Sequence, residues 1–376
     1  MLKRLTRQKP SEQKSTTLAD LIALHGTGEP RAVLPRGGYA GNIVAYRCVR
    51  MIAEAAGSVP LVVKESGAQL VESPILQLIH RPNPDQTGAQ FLEAIYGFLQ
   101  THGNAYIERL ADGGETRALF LLHPTDISVR DGIYRQQTKT GDRVFRPGPT
   151  GEMPLLHLSL WHPHGDGQGH APLKTAAPAI SIYDAAGAWN RTLLDNAARP
   201  SGALIHRGTE AGQHLTPEQF DRLRAELDSG FSGTLASGRP LLLDGGLDWR
   251  PMGMTPAEMD FQNLKNSAAR DIALAFGVPP MLLGIPGDNT YSNYGQANLA
   301  FWRQTILPLV RKVAEQIGLW LDPAALARVE PDLNAIEALA PERASRLDRI
   351  AAADFLTDAE KRTAFGFPSE PEGGVR

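Results

Sequence analysis

The sequence predicts an α+β fold, a mixed helix-and-strand module followed by two long helices that bracket a small insert. Three observations lead there. Helical and strand periods follow one another over residues 42 to 170 without regular βαβ alternation, which argues for antiparallel pairing and against a doubly wound sheet. Two long helical tracts follow, one over 172 to 198 and one opening at Pro256. Between them lie short strands around a single helix, too little chain to bury much apolar surface alone.

Each element has a local reason. Asn42 is a natural N-cap for a helix through Ala56, and Pro60 leads into a strand over 61–63. Thr87 and Gln90 form a capping box that opens FLEAIYGFL. Strand-like runs over 105–110 and 117–122 flank Asp112, Gly113 and Gly114, a hairpin signal, and further strands follow over 127–130, 133–136 and 155–160. In the first long helix Ile180, Tyr183, Gly187 and Leu194 share a stripe, and Pro200, Ser201 and Gly202 stop it.

The insert has a strand over 203–206, then a helix opened by a second capping box, Thr216 and Gln219, with Phe220, Leu223 and Leu227 turned inward. Strands over 240–243 and 247–250, the latter carrying Trp249, complete it. Thr255, Pro256 and Glu258 then cap the second long helix, where Met259, Phe261, Leu264, Ala268, Ile272 and Ala275 fall at helical spacing. Gly277 and Pro279 end it. The polar stretch PGDNTYSNYG reads as a loop, and a helix from Gly295 presents Leu299, Trp302, Ile306, Leu309, Val313 and Ile317 on one face. Pro308 inside that helix predicts a kink near Gln304 to Pro308. Residues 1–38 show little periodicity and read as an arm, whereas the chain beyond Ala335 is alanine-, arginine- and acid-rich with a helical period.

Composition narrows the function. A chain of 376 residues, 42% hydrophobic and 21% charged, is ordinary for a folded protein, and no run approaches the roughly 18 apolar residues that cross a bilayer. The first residues are basic but lack an apolar core, so they do not read as a secretory signal, and synthesis in a cytoplasm is expected. The single cysteine, Cys48, excludes an internal disulfide and reads as a buried, inert thiol. A net charge of −3 argues against a protein that wraps nucleic acid by bulk attraction.

No catalytic constellation stands out, so no enzyme activity and no cofactor are expected. Paired glycines open neither GxxxxGK[ST] nor GxGxxG, and Ser159, Ser181 and Ser267 lack the GxSxG elbow. His157, His162, His164, Asp166 and His170 carry metal-binding side chains, and a soluble metal-dependent hydrolase using this loop is the alternative reading. Their spacing matches neither HExxH nor a zinc finger, and Gly165, Gly167 and Gly169 preorganise ligands poorly, so a polar connection without metal is the preferred account. Lys265 and Arg270 read as a solvated helix face, or, in a ring of subunits, as circles of positive charge on a wall.

Several segments in order resemble the portal proteins of tailed bacteriophages and related gene transfer agents. They are NIVAYRCV (42–49), RPNP (81–84), GNAY (103–106), His123 with Pro124, GAWN (187–190), PSG (200–202), Asp260 with Phe261, FGVPP (276–280) and YSNY (291–294). The resemblance implies a portal-type ring subunit with an α+β wing, long stem helices, a small α/β clip and a helical crown. On this sequence the parts divide as arm 1–38, wing 39–170, first stem helix 171–199, clip 200–254, second stem helix 255–278, tunnel-loop region 279–296, wing helix and return 297–334, and crown 335–376.

It further implies a homo-oligomer, a dodecamer in a virion or virus-like particle, at one capsid vertex. Double-stranded DNA would pass through its channel, with the packaging terminase, the head–tail connector or adaptor and the major capsid protein as partners and no membrane. Channel contacts fall on Asp288, Asn289, Thr290, Tyr291, Ser292 and Asn293 of the loop and on Lys265 and Arg270. The clip interface falls on Phe220, Leu223, Leu227 and Trp249.

Overall fold

The computed structural model describes residues 41–364 except 66–67, 71, 113–114, 140, 149–150, 165–166, 196–201, 207–215, 231–246, 252–260, 288–290 and 325. The expected arm, the strand over 240–243 and the Thr255–Glu258 cap lie outside the described residues.

Helix α1 (Ile43–Gly57) begins where Asn42 places it: the Asn42 carboxamide oxygen accepts from the Val44 and Ala45 backbone N–H groups at 3.1 and 3.0 Å. Its buried face is made of small and β-branched residues, including Ala45, Cys48, Ile52 and Ala56, so that other helices approach closely. β1 (Leu61–Glu65), β2 (Ala68–Leu70) and α2 (Pro74–His80) follow. α3 (Gly88–His102) carries the predicted Thr87–Gln90 capping box and ends on Gly103 in the left-handed conformation. It packs closely on α1: a Cβ on Gly57 would lie 3.0 Å from the Glu93 nitrogen.

β3 (Asn104–Asp112) and β4 (Glu115–Leu122) form the predicted hairpin, with Asp112 opposite Glu115. β8 (Leu155–Ser159) pairs on the other side of β3, giving the order β4-β3-β8. β5 (Ile127–Arg130), β6 (Ile133–Thr138) and β7 (Gly141–Phe145) make a second antiparallel sheet. Between the two sheets Arg143 forms a bidentate ion pair with Glu108, whose side chain is buried.

Two long helices leave this module. α4 (Pro172–Asp195) buries Leu173, Ala176, Ile180 and Ala186. β9 (Gly202–His206) pairs with β10 (Leu247–Pro251), and α5 (Pro217–Gly230) lies between them in the chain, opened by the expected reciprocal bonds between Thr216 and Gln219. α6 (Phe261–Phe276) packs along α4 and also reaches α1.

The return path departs from the sequence reading. α7 (Tyr291–Phe301) runs into a π-helical turn over Trp302–Ile306, marked by the Leu307 N–H bonded to the Trp302 carbonyl, and α8 (Leu307–Leu321) continues from it. Pro308 falls in the first turn of α8, directly after this turn, so the irregularity near Gln304 to Pro308 takes the form of a π-helical turn. The extra residue shifts the face: Phe301 and Ile306, five apart, are both fully buried, while Trp302 and Leu299 only flank the core.

β11 (Ala327–Pro331) then pairs antiparallel with β1, Leu61 opposite Pro331, and Lys64 meets Glu330 at 3.0 Å across that pair. The chain closes through α9 (Ala340–Ala351) and α10 (Asp358–Ala364). Every strand pair among the described residues is antiparallel, as α+β requires.

The tightest backbone approach joins the module to α4. A Cβ on Gly169 would lie 2.0 Å from the Gly103 carbonyl oxygen, against backbone that has no room to move. Gly97, inside α3, has open space around its missing Cβ. Gly169→Ala is therefore expected to destabilise the protein by roughly 1–3 kcal/mol through overpacking, whereas Gly97→Ala should stabilise it by about 0.5–1 kcal/mol. Urea denaturation of the two variants beside the wild type checks both signs.

Candidate functional site

The candidate site is the α4–α6 pair together with the chain that joins α6 to α7. Along the pair, the Lys265 Nζ sits 4.6 Å from the centre of the Tyr183 ring, a cation–π contact that directs the ammonium across to the neighbouring helix. Trp189 and Phe261 approach at 6.3 Å between ring centres, nearer the insert. Next to Tyr183, mid-way along α4, the Asp184 carboxylate accepts from the Asn42 amide at 2.8 Å, tying the α1 cap to α4.

Outward faces of the pair remain apolar. Ile182, Trp189 and Leu264 are each nearly half exposed. Leu264, expected in the helix stripe, is therefore a surface residue of the single subunit, and the buried face is Ala268, Ala269, Ile272, Ala273 and Phe276.

The end of α6 is fixed from two sides. Gly277 takes φ +67, and the Thr305 hydroxyl in the π-helical turn donates to its carbonyl at 2.6 Å. Beyond it Val278 and Ile285 are buried around a short 3-10 turn, Pro280–Leu283. Arg270 donates from its guanidinium to the Pro286 carbonyl. The chain is thus anchored as far as Pro286, so the start of PGDNTYSNYG is held against α6.

The predicted contact residues separate accordingly. Asp288, Asn289 and Thr290 lie outside the described residues. Tyr291, Ser292 and Asn293 are the first turn of α7, not loop: the polar sequence concealed a helix that starts about four residues before the predicted Gly295. Asn293 is exposed there. In the insert, Phe220 is 56% exposed on α5 rather than turned inward. The side chains of Leu223, Leu227 and Trp249 lie outside the described residues.

The histidine stretch divides, with His157 apart from the other three. His157 faces into the first sheet, stacked on Tyr106 with ring centres 4.5 Å apart and bonded to the Asn104 carboxamide oxygen at 2.8 Å. That same oxygen accepts from the Gly169 N–H at 2.7 Å, so His157 and Asn104 hold the connection to α4 in place. The His162 ring centre lies 5.4 Å from those of both His164 and His170, and His170 also contacts the Thr175 hydroxyl at 2.9 Å. Asp166 lies outside the described residues, and among the described residues no group of His, Cys, Asp or Glu is placed to hold a metal ion, so nothing in them supports the hydrolase reading. Cys48 is fully buried and burial pushes its thiol up to about 12, consistent with the expected inert role.

These features describe a chain built around a two-helix column, with the connection beyond the second helix anchored as far as Pro286. The phage portal protein model matches residues 43–366, and the chain belongs to that family. The chain is similar to the portal protein of Enterobacteria phage HK97, with 25% identity over 88% of this chain and 80% of that one. It is also similar to a chain in the neck of an empty GTA particle computed with C6 symmetry, with 42% identity, TM-score 0.71 and coverage of 90% and 93%. A chain in the neck of a native GTA particle computed with C12 symmetry gives 41% identity, TM-score 0.69 and coverage of 93% and 98%.

His157 gives a pH test of the junction. Burial lowers its pKa to about 4, against an ordinary value of 6.5. The folded state then binds fewer protons than the unfolded chain between those values. Stability is expected to hold above pH 6.5, to fall as pH drops from 6.5 towards 4, and to level below it. His102, lowered to about 4 by burial and by His123, adds in the same sense. The change in Tm between pH 7 and pH 5 should be smaller in His157→Gln than in the wild type.

Proposed function

We infer that this protein is the portal of a tailed, gene-transfer-agent-type particle: a ring of identical subunits at one capsid vertex that gives DNA its passage. The observation that carries the reading is the α4–α6 column, whose Ile182, Trp189 and Leu264 are left without cover in the single subunit. Apolar residues clustered on a slender helix pair call for a neighbour, and a head-to-tail contact repeated around an axis supplies one. Family membership supports the role, and identity above 40% to the GTA neck chains, against 25% to the HK97 portal, favours that particle type and twelvefold symmetry.

In this reading α4 and α6 are the stem, β9, α5 and β10 the clip, α9 and α10 the crown, and residues 287–293 the tunnel segment facing double-stranded DNA. The Arg270 contact at Pro286 and the buried Val278 and Ile285 support such a segment by setting a firm base for it. Lys265, held over Tyr183, adds positive potential to the column without extending a free charge, which suits a wall past which phosphates slide. The terminase, the head–tail connector and the major capsid protein are the partners, with exposed Phe220 part of the clip face. The protein acts mechanically and not as an enzyme.

Two measurements test this. Replacing residues 288–290 by glycines is expected to leave rings of normal mass while lowering DNase-protected DNA per particle severalfold; loss of rings would make the segment an assembly contact instead. Phe220→Asp should leave ring mass near normal but reduce tail attachment, scored by electron microscopy of particles, and intact tails on variant particles would remove Phe220 from the clip interface.

A further inference from the structure

A groove of about 1130 Å³ lies between α8, β11 and α9. Its lining is strongly basic although the chain as a whole is acidic: seven cationic side chains face it against four carboxylates. Two of the seven are paired, Lys64 with Glu330 and Arg303 with Glu342, both at 3.0 Å. The other five, Arg311, Arg328, Arg343, Arg346 and Arg349, have no carboxylate partner among the described residues. Arg343 and Arg349 donate only to backbone carbonyls, of Asn334 and Ser345. Apolar surface accompanies this charge, because Leu319 and Leu333 line the groove and are 52% and 40% exposed.

A complementary surface lies elsewhere on the same chain. Phe355, in the turn between α9 and α10, is 86% exposed, the highest value of any large apolar side chain among the described residues. Asp354 and Asp358 beside it are exposed and have no cationic partner among the described residues. An aromatic flanked by two carboxylates matches an arginine-rimmed groove with leucines in it, since guanidinium binds carboxylate bidentately and the ring gains cover. Within one subunit the match is not used.

We propose that the groove receives the Phe355 turn of a second copy of this chain. The contact joins two different surfaces, so it repeats from subunit to subunit and closes a ring at the level of the crown. It rests on the ring reading given above. Phosphates would also suit the guanidinium groups, but exposed leucines in the groove favour a protein segment.

Cysteine trapping of the full chain tests the contact, and the buried Cys48 leaves the background clean. Rings carrying both Leu333→Cys and Phe355→Cys should give, on mild oxidation, a ladder of covalent oligomers, with each single variant giving at most dimers. Arg346→Glu with Arg349→Glu should lower ring yield at least tenfold by mass photometry, and adding Asp354→Arg with Asp358→Arg should restore most of it. Rings of normal mass that yield no ladder, or only an intrachain crosslink, would overturn the contact and leave the ring reading standing. A wild-type chain that stays monomeric would overturn both. A charge reversal that spares ring yield but weakens retention of duplex DNA would overturn the contact and assign the groove to phosphates.

Discussion

The whole architecture depends on how closely four helices pack around α1. Its inner face is Ala45, Cys48, Ile52, Ala53 and Ala56, nearly all small, and α3, α4, α6 and α8 each contact it. Small side chains permit short interaxial distances, and the Gly57 approach to Glu93 shows how little space is left. Because α3 continues into the first sheet while α4 and α6 run out as a column, this one packing site sets the column relative to the α+β module. The Asn42 side chain joins both ends of that arrangement, capping α1 with its oxygen and bonding Asp184 of α4 with its amide.

A second constraint acts where the column meets the module through the chain itself. Gly103 and Gly169 touch backbone to backbone, and Asn104 and His157 satisfy the polar groups around that contact. His157, the first residue of the histidine stretch, therefore serves as a half-buried, neutral hydrogen-bonding wedge. The ring stacks on Tyr106 and lies in contact with the Tyr134 hydroxyl at 3.3 Å. His162, His164 and His170 gather outside this arrangement, on the turn that leads to α4.

The π-helical turn shows how a local irregularity organises the region around the end of α6. An added residue in the ladder turns Phe301 and Ile306 into the core together and brings the Thr305 hydroxyl to the carbonyl that ends α6. That bond and the Arg270 contact at Pro286 hold both limits of the 277–286 connection. Further along, α8 is fastened to the module by Lys312, donating to the Ser159 carbonyl at 2.5 Å, and by Trp320, whose indole N–H donates to the Met153 carbonyl at 2.9 Å. Helices thus return to the module and brace it, and their outer side forms the arginine groove.

Elements governed by neighbours in sequence were legible without a structure. Asn42, Thr87–Gln90 and Thr216–Gln219 cap helices because a cap needs only three or four consecutive residues. The Asp112-Gly113-Gly114 hairpin and the stop at Gly277 follow from backbone preferences in the same way. Tertiary structure decided what depends on partners far along the chain. The β1–β11 pairing spans some 266 residues, and no local pattern in ARVEP announces it. The helical state of Tyr291 to Asn293, the face shift at the π turn, the exposure of Leu264 and Phe220 and the inward turn of His157 are of the same kind. Each is settled by which surface stands opposite, and periodicity records only that a residue is apolar or polar, not what it will meet.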